Sequence, residues 1–151
     1  MNEKENFDRE LAKGKRIERE FVSKMIRDEL DLLKVEFAPN KAFKDWDVKV
    51  VYDNDGKEVE KTYEIKSDDK SLETGNICFE YACNGEPSGI YASKADYIVY
   101  QMWGEYYIKS RDKLLVNLNF VEKKDVVGWD GDRARMWLVN KDKLGVLFDK
   151  I

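Results

Sequence analysis

The sequence predicts an α+β fold, an α/β-type domain built on a mixed central sheet. Three observations lead there. A long amphipathic helical pattern opens the chain, a run of strand patterns separated by turn residues follows, and mixed elements close it. The 151 residues suit one domain over 1–151. No internal repeat divides them, and two prolines and nine glycines leave little material for a linker.

Residues Asp8 to Leu33 read as one helix, because Ile17, Phe21, Val22, Met25, Ile26, Leu30 and Leu33 recur with a helical period. "VEFAP" (35–39) reads as a short strand ended by Pro39, and "DWDVKVVYD" (45–53) as a longer one. "NDG" (54–56) is a hairpin signal, and "KEVEKTYEIKS" (57–67) is the returning strand. "DDKSLETG" (68–75) reads as a polar loop, "NICFEYA" (76–82) as a strand and "NGEPSG" (84–89) as a second loop. "ASKADYIVYQMW" (92–103) reads as a helical turn entering a buried strand, with "GEYYIKS" (104–110) as its hairpin partner. "RDKLLVNLNFV" (111–121) reads as a helix, whereas "ARMWLVN" (134–140) and "LGVLFD" (144–149) do not declare their type.

Composition sets the functional bounds. At 42% hydrophobic and 13% aromatic the chain is too apolar for disorder, and at 38% charged it carries a dense, mixed-charge surface. It has no histidine, which excludes imidazole acid–base chemistry, His-containing triads and His-ligated zinc. The two cysteines, Cys78 and Cys83, read as reduced thiols beside a strand. "MNEKENFDRE" lacks the apolar stretch of a signal peptide, and no apolar run approaches a membrane span. A cytoplasmic protein without membrane partners is expected. The net charge of −4 argues mildly against non-specific coating of nucleic acid. The first helix is nevertheless basic, with Arg9, Lys13, Lys15, Arg16, Arg19, Lys24 and Arg27.

Two geometric arguments then single out acids. If Asp55 and Gly56 form a two-residue loop, Asn54 pairs with Lys57. Continuing that register puts Asp47 opposite Glu64 and Asp45 opposite Lys66, all on one face. A three- or four-residue loop would shift it. Acids facing each other destabilise a sheet, so an Asp facing a Glu asks for a cation, and a hard ion such as Mg²⁺ fits. On a helical wheel with Ile17 at the origin, the apolar residues centre near about 110°. Glu18 falls at about 100°, inside the apolar face, whereas Glu20 falls at about 300°, among solvated positions. An acid aimed into the core is costly unless paired or metal-bound. Glu29 also falls near the apolar face, with no equally good account.

The ordered set Gly14, Glu18, Asp47, Glu64, Lys66 resembles the PD-(D/E)xK nuclease superfamily, which includes many restriction endonucleases and the archaeal Holliday-junction resolvases. The resemblance covers roughly residues 10–100. "KGKRIEREF" (13–21) is similar to the resolvases' opening helix, with the metal-linked Glu four residues after the Gly. "DWDVKV" (45–50) is similar to the motif's Asp entering a strand, with Asp47 matching better than Asp45, and "YEIK" (63–66) to the (D/E)xK element. "GNICFEY" and "PSGIYASKADYIVY" (88–100) are similar to segments of small phage-type members. Trp46 stands where the pattern has Pro, so the "PD" is half present.

The resemblance implies a restriction-endonuclease-like core and a Mg²⁺-dependent DNA endonuclease, with Mn²⁺ as a substitute ion. Asp47, Glu64 and the Ile65 carbonyl would hold the metal, with Glu18 as an outer or water-linked ligand. Lys66 would orient the attacking water and stabilise transition-state charge. A branched or junction DNA substrate, a homodimer and a host-cytoplasmic, phage-encoded setting are likewise implied.

Further residues have two readings. Lys13, Lys15 and Arg16 are assigned as DNA contacts, together with Ser88 and Lys94. The loop around Ser88 and Ser93 either offers amides and hydroxyls to a phosphate backbone or merely turns the chain. Lys94 either touches phosphate at the cleft edge or lies on the surface. Asp68 and Asp69 read best as a solvated loop start. Glu80 either reaches the site from the next strand or does not. Trp103, Trp129 and Trp137 read as core or interface anchors, and "WDGDRAR" (129–135) as a polar loop able to touch DNA. The alternative function is a non-catalytic DNA- or protein-binding module with the same fold. A third is a metal-dependent enzyme acting on another phosphodiester.

Overall fold

The computed structural model describes residues 2–26, 31–40, 42–128 and 133–151. Helix α1 (Glu3–Phe21) begins at Asn2, whose side chain accepts the Glu5 N–H at 2.8 Å and so satisfies one free helix-terminal donor. One π-helical turn, Val22–Ile26, follows it. The helix expected to reach Leu33 therefore stops earlier. Leu32–Phe37 is strand β1, antiparallel to β2 (Val48–Asn54). Ladder hydrogen bonds to β2 override the helical spacing of the leucines. Leu33, counted on the helix stripe, is more than half exposed on this edge strand. Leu30 and Glu29 lie outside the described residues.

Asp55 and Gly56 both take positive φ, 52° and 86°. Such a two-residue loop matches the twist of the strands it joins, and the Asp53 side chain accepts the Gly56 N–H to hold it. Strand β3 (Lys57–Ser67) returns in the expected register, from Asn54 opposite Lys57 to Val48 opposite Tyr63.

The expected polar loop after β3 contains a short helix, α2 (Ser71–Thr74), stopped by Gly75 in the left-handed region. Then follow β4 (Asn76–Cys83), β5 (Glu86–Pro87), α3 (Gly89–Ala92), β6 (Tyr97–Met102), β7 (Glu105–Ser110) and α4 (Arg111–Phe120). The undeclared late stretches become β9 (Ala134–Asn140), which follows β8 (Lys124–Val127), and α5 (Leu144–Leu147) leading to β10 (Asp149–Lys150).

The architecture is α+β. A six-stranded sheet runs β1-β2-β3-β6-β7-β10, with β3 and β6 parallel and the other neighbours antiparallel. A second, antiparallel sheet runs β5-β4-β9-β8. Apolar clusters cover the two faces of the larger sheet. Ile17 and Phe21 of α1 pack on Val48, Val50, Tyr63, Val99 and Tyr106. On the other face Ile98, Tyr100 and Met102 pack against Ile77 and Phe79 of the second sheet and Leu114 and Leu118 of α4. Phe21, whose ring centroid lies 5.3 Å from that of Tyr63, is the main weld of α1 to the sheet. Burial of one such ring is worth about 3–5 kcal/mol against alanine.

This two-sided packing positions the polar residues of β3. The parallel register sets Tyr63 and Ile65 beside Tyr97 and Val99, and Glu64 and Lys66 beside Ile98 and Tyr100. Strand alternation therefore sends Tyr63 and Ile65 toward α1, and Glu64 and Lys66 toward the second sheet. Among the described residues, no helix is long and apolar enough to cross a membrane.

Candidate active site

The β2–β3 ladder stops at Val48 and Tyr63, one step before Asp47 and Glu64. There the strands part. The Asp47 N–H still donates to the Tyr63 carbonyl at 2.9 Å. Its side chain turns back across the gap, and Oδ2 accepts the Ile65 N–H at 2.7 Å. That bond replaces the ladder bond that Ile65 would otherwise lack, and a charged acceptor makes it a strong one. The Asp47 carboxylate is thereby fixed close to Glu64, near enough for its charge to raise the Glu64 pKa.

Glu64 is 8% exposed. Its Oε2 lies 3.2 Å from the Lys66 ammonium, two residues along on the same face. Burial drives the Glu64 carboxyl upward, Lys66 opposes this, and the nearby Asp47 charge adds to the rise; the balance is about 7. Glu18 is pushed up to about 7 as well, by burial first and then by the charges of Asp47 and Glu64. The wheel's anomalous acid is half-buried and near enough to the two strand acids for their charges to act on it. Desolvation pulls the Lys66 ammonium down, but Glu64, Asp47 and Glu80 outweigh it, and its pKa is raised. Lys66 is paired with Glu64, and Lys15 and Arg19 oppose the rise of Glu18 without cancelling it.

Glu20, two residues from Glu18, does something different. It is half-exposed and accepts hydrogen bonds from the Tyr106 hydroxyl at 2.9 Å and Lys24 Nζ at 3.2 Å. Those two bonds hold its carboxyl below the usual range. Instead of standing free in solvent, it ties α1 to β7.

Asp45 does not reach Lys66. Because the chain leaves the ladder at Asp47, the Asp45 carbonyl accepts the Lys94 N–H at 2.9 Å instead, and its carboxylate lies 3.9 Å from Lys94 Nζ. Asp68 is not a solvated loop start either. It is partly buried, with its carboxylate accepting the Cys78 N–H at 2.8 Å, and burial raises its pKa. It holds β4 against the end of β3. Asp69 is exposed and pairs with Lys13 at 3.1 Å.

Lys66, Asp68, Cys78, Glu80, Ile90 and Tyr100 line a cavity of about 280 Å³ next to the acid cluster. Glu80 thus lies beside Lys66, the first of its two readings. The Ser88 hydroxyl is engaged, donating to Glu80 Oε2 at 2.8 Å. Lys15 and Arg16 are exposed on α1, and Lys15 lies close enough to Glu18 to oppose its rise. The side chain of Lys94 is 77% exposed at the rim. Both cysteines are unpaired, and burial raises the Cys78 thiol to about 11, which makes it a poor nucleophile. Trp103 packs on the core, Trp137 stacks on Tyr81, and Trp129 lies outside the described residues.

Chemically, Asp47 and Glu64 present hard oxygen donors beside an ammonium. Among the described residues no set of three or more Asp, Glu, Cys or His side chains closes around an ion. Two carboxylates with a main-chain carbonyl and water suffice for Mg²⁺, which keeps several waters and uses few protein ligands. Glu80 and Asp68 were the residues hardest to read from sequence, since only the packing of β4 against β3 brings them in.

No family model, curated protein or solved structure matches the chain.

Proposed function

We propose that the protein is a Mg²⁺-dependent DNA endonuclease with a restriction-endonuclease-like core of the PD-(D/E)xK type. The observation that carries this reading is the cluster of Asp47, Glu64 and Glu18 beside Lys66, with both glutamates raised to about 7. Carboxyl groups shifted by burial and by specific charge partners beside a cleft are functional-site candidates.

The donor set fits a hard divalent cation, because adding one offsets both the burial and the like charges that raise the two glutamates. Asp47, Glu64 and the Ile65 carbonyl would hold it, with Glu18 as an outer contact, and Mn²⁺ would substitute. When bound, the cation supplies Lewis-acid polarisation of the scissile phosphate. The remaining work falls to the chain. The Ile65 N–H fixes Asp47 in one rotamer, so the donor geometry is organised before substrate arrives. Lys66 holds a permanent positive charge beside the reacting phosphate, orienting the attacking water and stabilising the charge that builds up. Lys15 and Arg16 on α1, with Lys94 on the opposite rim, contact the DNA backbone. Lys13 joins them by exchanging its exposed partner Asp69 for phosphate, and Ser88 acts through Glu80.

The finer reading is a branched or junction DNA substrate cut by a homodimer, in the cytoplasm of a phage-infected host. The test is cleavage of labelled four-way junction, flap, single-stranded and linear duplex DNA with Mg²⁺, Mn²⁺ or EDTA, with Glu64→Gln beside the wild type. Metal-dependent cleavage lost in the variant supports the reading. Binding without cleavage, indifferent to metal and to Glu64→Gln, replaces it with a non-catalytic binding module.

A further inference from the structure

Beyond the acid cluster, α3 is held more firmly than four residues require. The Ser88 N–H donates to the Tyr81 carbonyl at 3.0 Å, and the Ser88 hydroxyl to Glu80. Gly89 sits at φ 54° against β4, so close that a Cβ there would lie 2.2 Å from the Glu80 carbonyl oxygen. On the far side, Arg111 donates to the Ile90 and Tyr91 carbonyls, both at 2.9 Å. The backbone of α3 is therefore clamped from two directions.

Ile90 points inward and is fully buried, lining the cavity that also holds Lys66. Tyr91 points outward and is 40% exposed. Its ring stands nearly perpendicular to those of Trp137 and Tyr81, at centroid distances of 5.5 and 6.2 Å. Those two rings are stacked on each other at 4.6 Å, and the Tyr81 hydroxyl is tied to Asp125 at 2.8 Å. The Tyr91 ring is thus braced by two perpendicular rings while 40% of the residue stays exposed. A core tyrosine would be covered, and a plain surface tyrosine would not be buttressed.

One lysine follows Tyr91 in the chain and another covers its neighbour Trp137. Lys94 is three residues on, with its side chain 77% exposed and only a 3.9 Å contact to Asp45. Lys123 lies over the Trp137 ring, its Nζ 5.3 Å from the centroid. The main chain connects this patch to the acid cluster, because Lys94 is hydrogen-bonded to Asp45, two residues before Asp47.

We infer that Tyr91 is a stacking platform for an unpaired nucleobase next to the scissile phosphate, with Lys94 contacting the adjoining backbone. This rests on the nuclease reading and sharpens its substrate class to DNA with a single-stranded or frayed segment at the site. A base inside a continuous duplex has both faces occupied and cannot stack on the ring. An unpaired base can, and a preorganised aromatic loses little freedom when it does so.

The experiment measures fluorescence anisotropy of a labelled oligothymidylate and of a blunt duplex of equal length, in EDTA so that nothing is cut. Tyr91→Ala is expected to weaken single-strand binding by about 5- to 100-fold, the loss of one base stack, and to leave duplex binding within about two-fold. Tyr91→Phe retains the ring and the affinity. Equal single-strand binding by wild type and Tyr91→Ala overturns the platform and leaves the nuclease reading intact, as does an equal loss on both DNAs. No DNA binding by the wild type overturns both. A second measurement needs no variant: photocrosslinking of the wild type to a 5-iodouracil oligonucleotide is expected to label Tyr91, and labelling confined to other residues sinks the proposal.

Discussion

The Asp47 carboxylate accepts the main-chain N–H of Ile65 at 2.7 Å, at the point where β2 and β3 part. One side chain thus does two jobs: it satisfies a ladder donor left open by the divergence, and it places an oxygen beside Glu64. The jobs separate by substitution. Asp47→Asn keeps an acceptor for Ile65 and loses the charge. It is expected to unfold within about 1 kcal/mol of wild type, while Mg²⁺-dependent cleavage falls at least about 100-fold. Asp47→Ala loses both and costs a further 1–3 kcal/mol or so by stranding the Ile65 N–H. Urea denaturation beside a cleavage assay reads the two effects, and equal stability of the two variants would show that the hydrogen bond carries no weight.

Glu18 and Glu20 provide a contrast within one helix. Glu20 is bonded to Tyr106 and Lys24, whereas Glu18 faces two other acids. Glu20→Gln is expected to cost about 0.5–1 kcal/mol, a partly exposed charged hydrogen bond discounted for solvent, and to leave cleavage near wild type. Glu18→Gln is expected to be neutral or stabilising and to lower cleavage. The reverse pattern would remove Glu18 from the site.

Burial, with the charge of Asp47 added to it, sets a pH dependence. Glu18 and Glu64 stand at about 7 in the folded protein, above the ordinary glutamate value of about 4.3 in the unfolded chain. Between those values the native state binds more protons than the unfolded one. Stability is therefore highest below the lower value and is lost as pH rises through the upper one. In EDTA, the loss from pH 5 to pH 8 is expected to total about 2–4 kcal/mol for the pair after discounting shared charge and solvent. Denaturant midpoints at four pH values measure it, and a flat profile would contradict it. Glu18→Gln with Glu64→Gln should flatten the slope. Mg²⁺ should stabilise the wild type more at pH 8 than at pH 5.5.

What was legible in the sequence follows from the range of the forces involved. The β2–β3 register was readable because Asp55-Gly56 fixes it within a few residues, and Glu18 because a helical period is local. The end of α1 was not. Leu30 and Leu33 continue the period by sequence, but the π turn at Val22–Ile26 breaks the phase and β2 recruits Leu32–Phe37 into the sheet. Extending the turn's register sets Asp45 opposite Lys66, but the ladder ends at Val48. Asp68 looked like loop because its partner, the Cys78 N–H, arrives only when β4 folds back. Glu20 looked solvated because Tyr106 lies 86 residues away.

Gly89 offers the last test, one that bears on how α3 borders the site. At φ 54° its conformation is one that residues with a Cβ seldom adopt, and the space that a Cβ would fill already holds the Glu80 carbonyl. That oxygen is main chain, so it cannot swing aside as a side-chain tip would. Gly89→Ala must push α3 away from β4. The shift loosens the Ser88–Glu80 bond and opens the cavity wall formed by Ile90. The expected cost is about 2–4 kcal/mol, the left-handed penalty together with overpacking. Gly145, which has no heavy atom within 4 Å of its Cβ position, is the control, and Gly145→Ala should be neutral or slightly stabilising. Chemical denaturation of the two variants decides it. A Gly89→Ala protein as stable as Gly145→Ala would mean that α3 is free to move, and the clamp that presents Tyr91 would go with it.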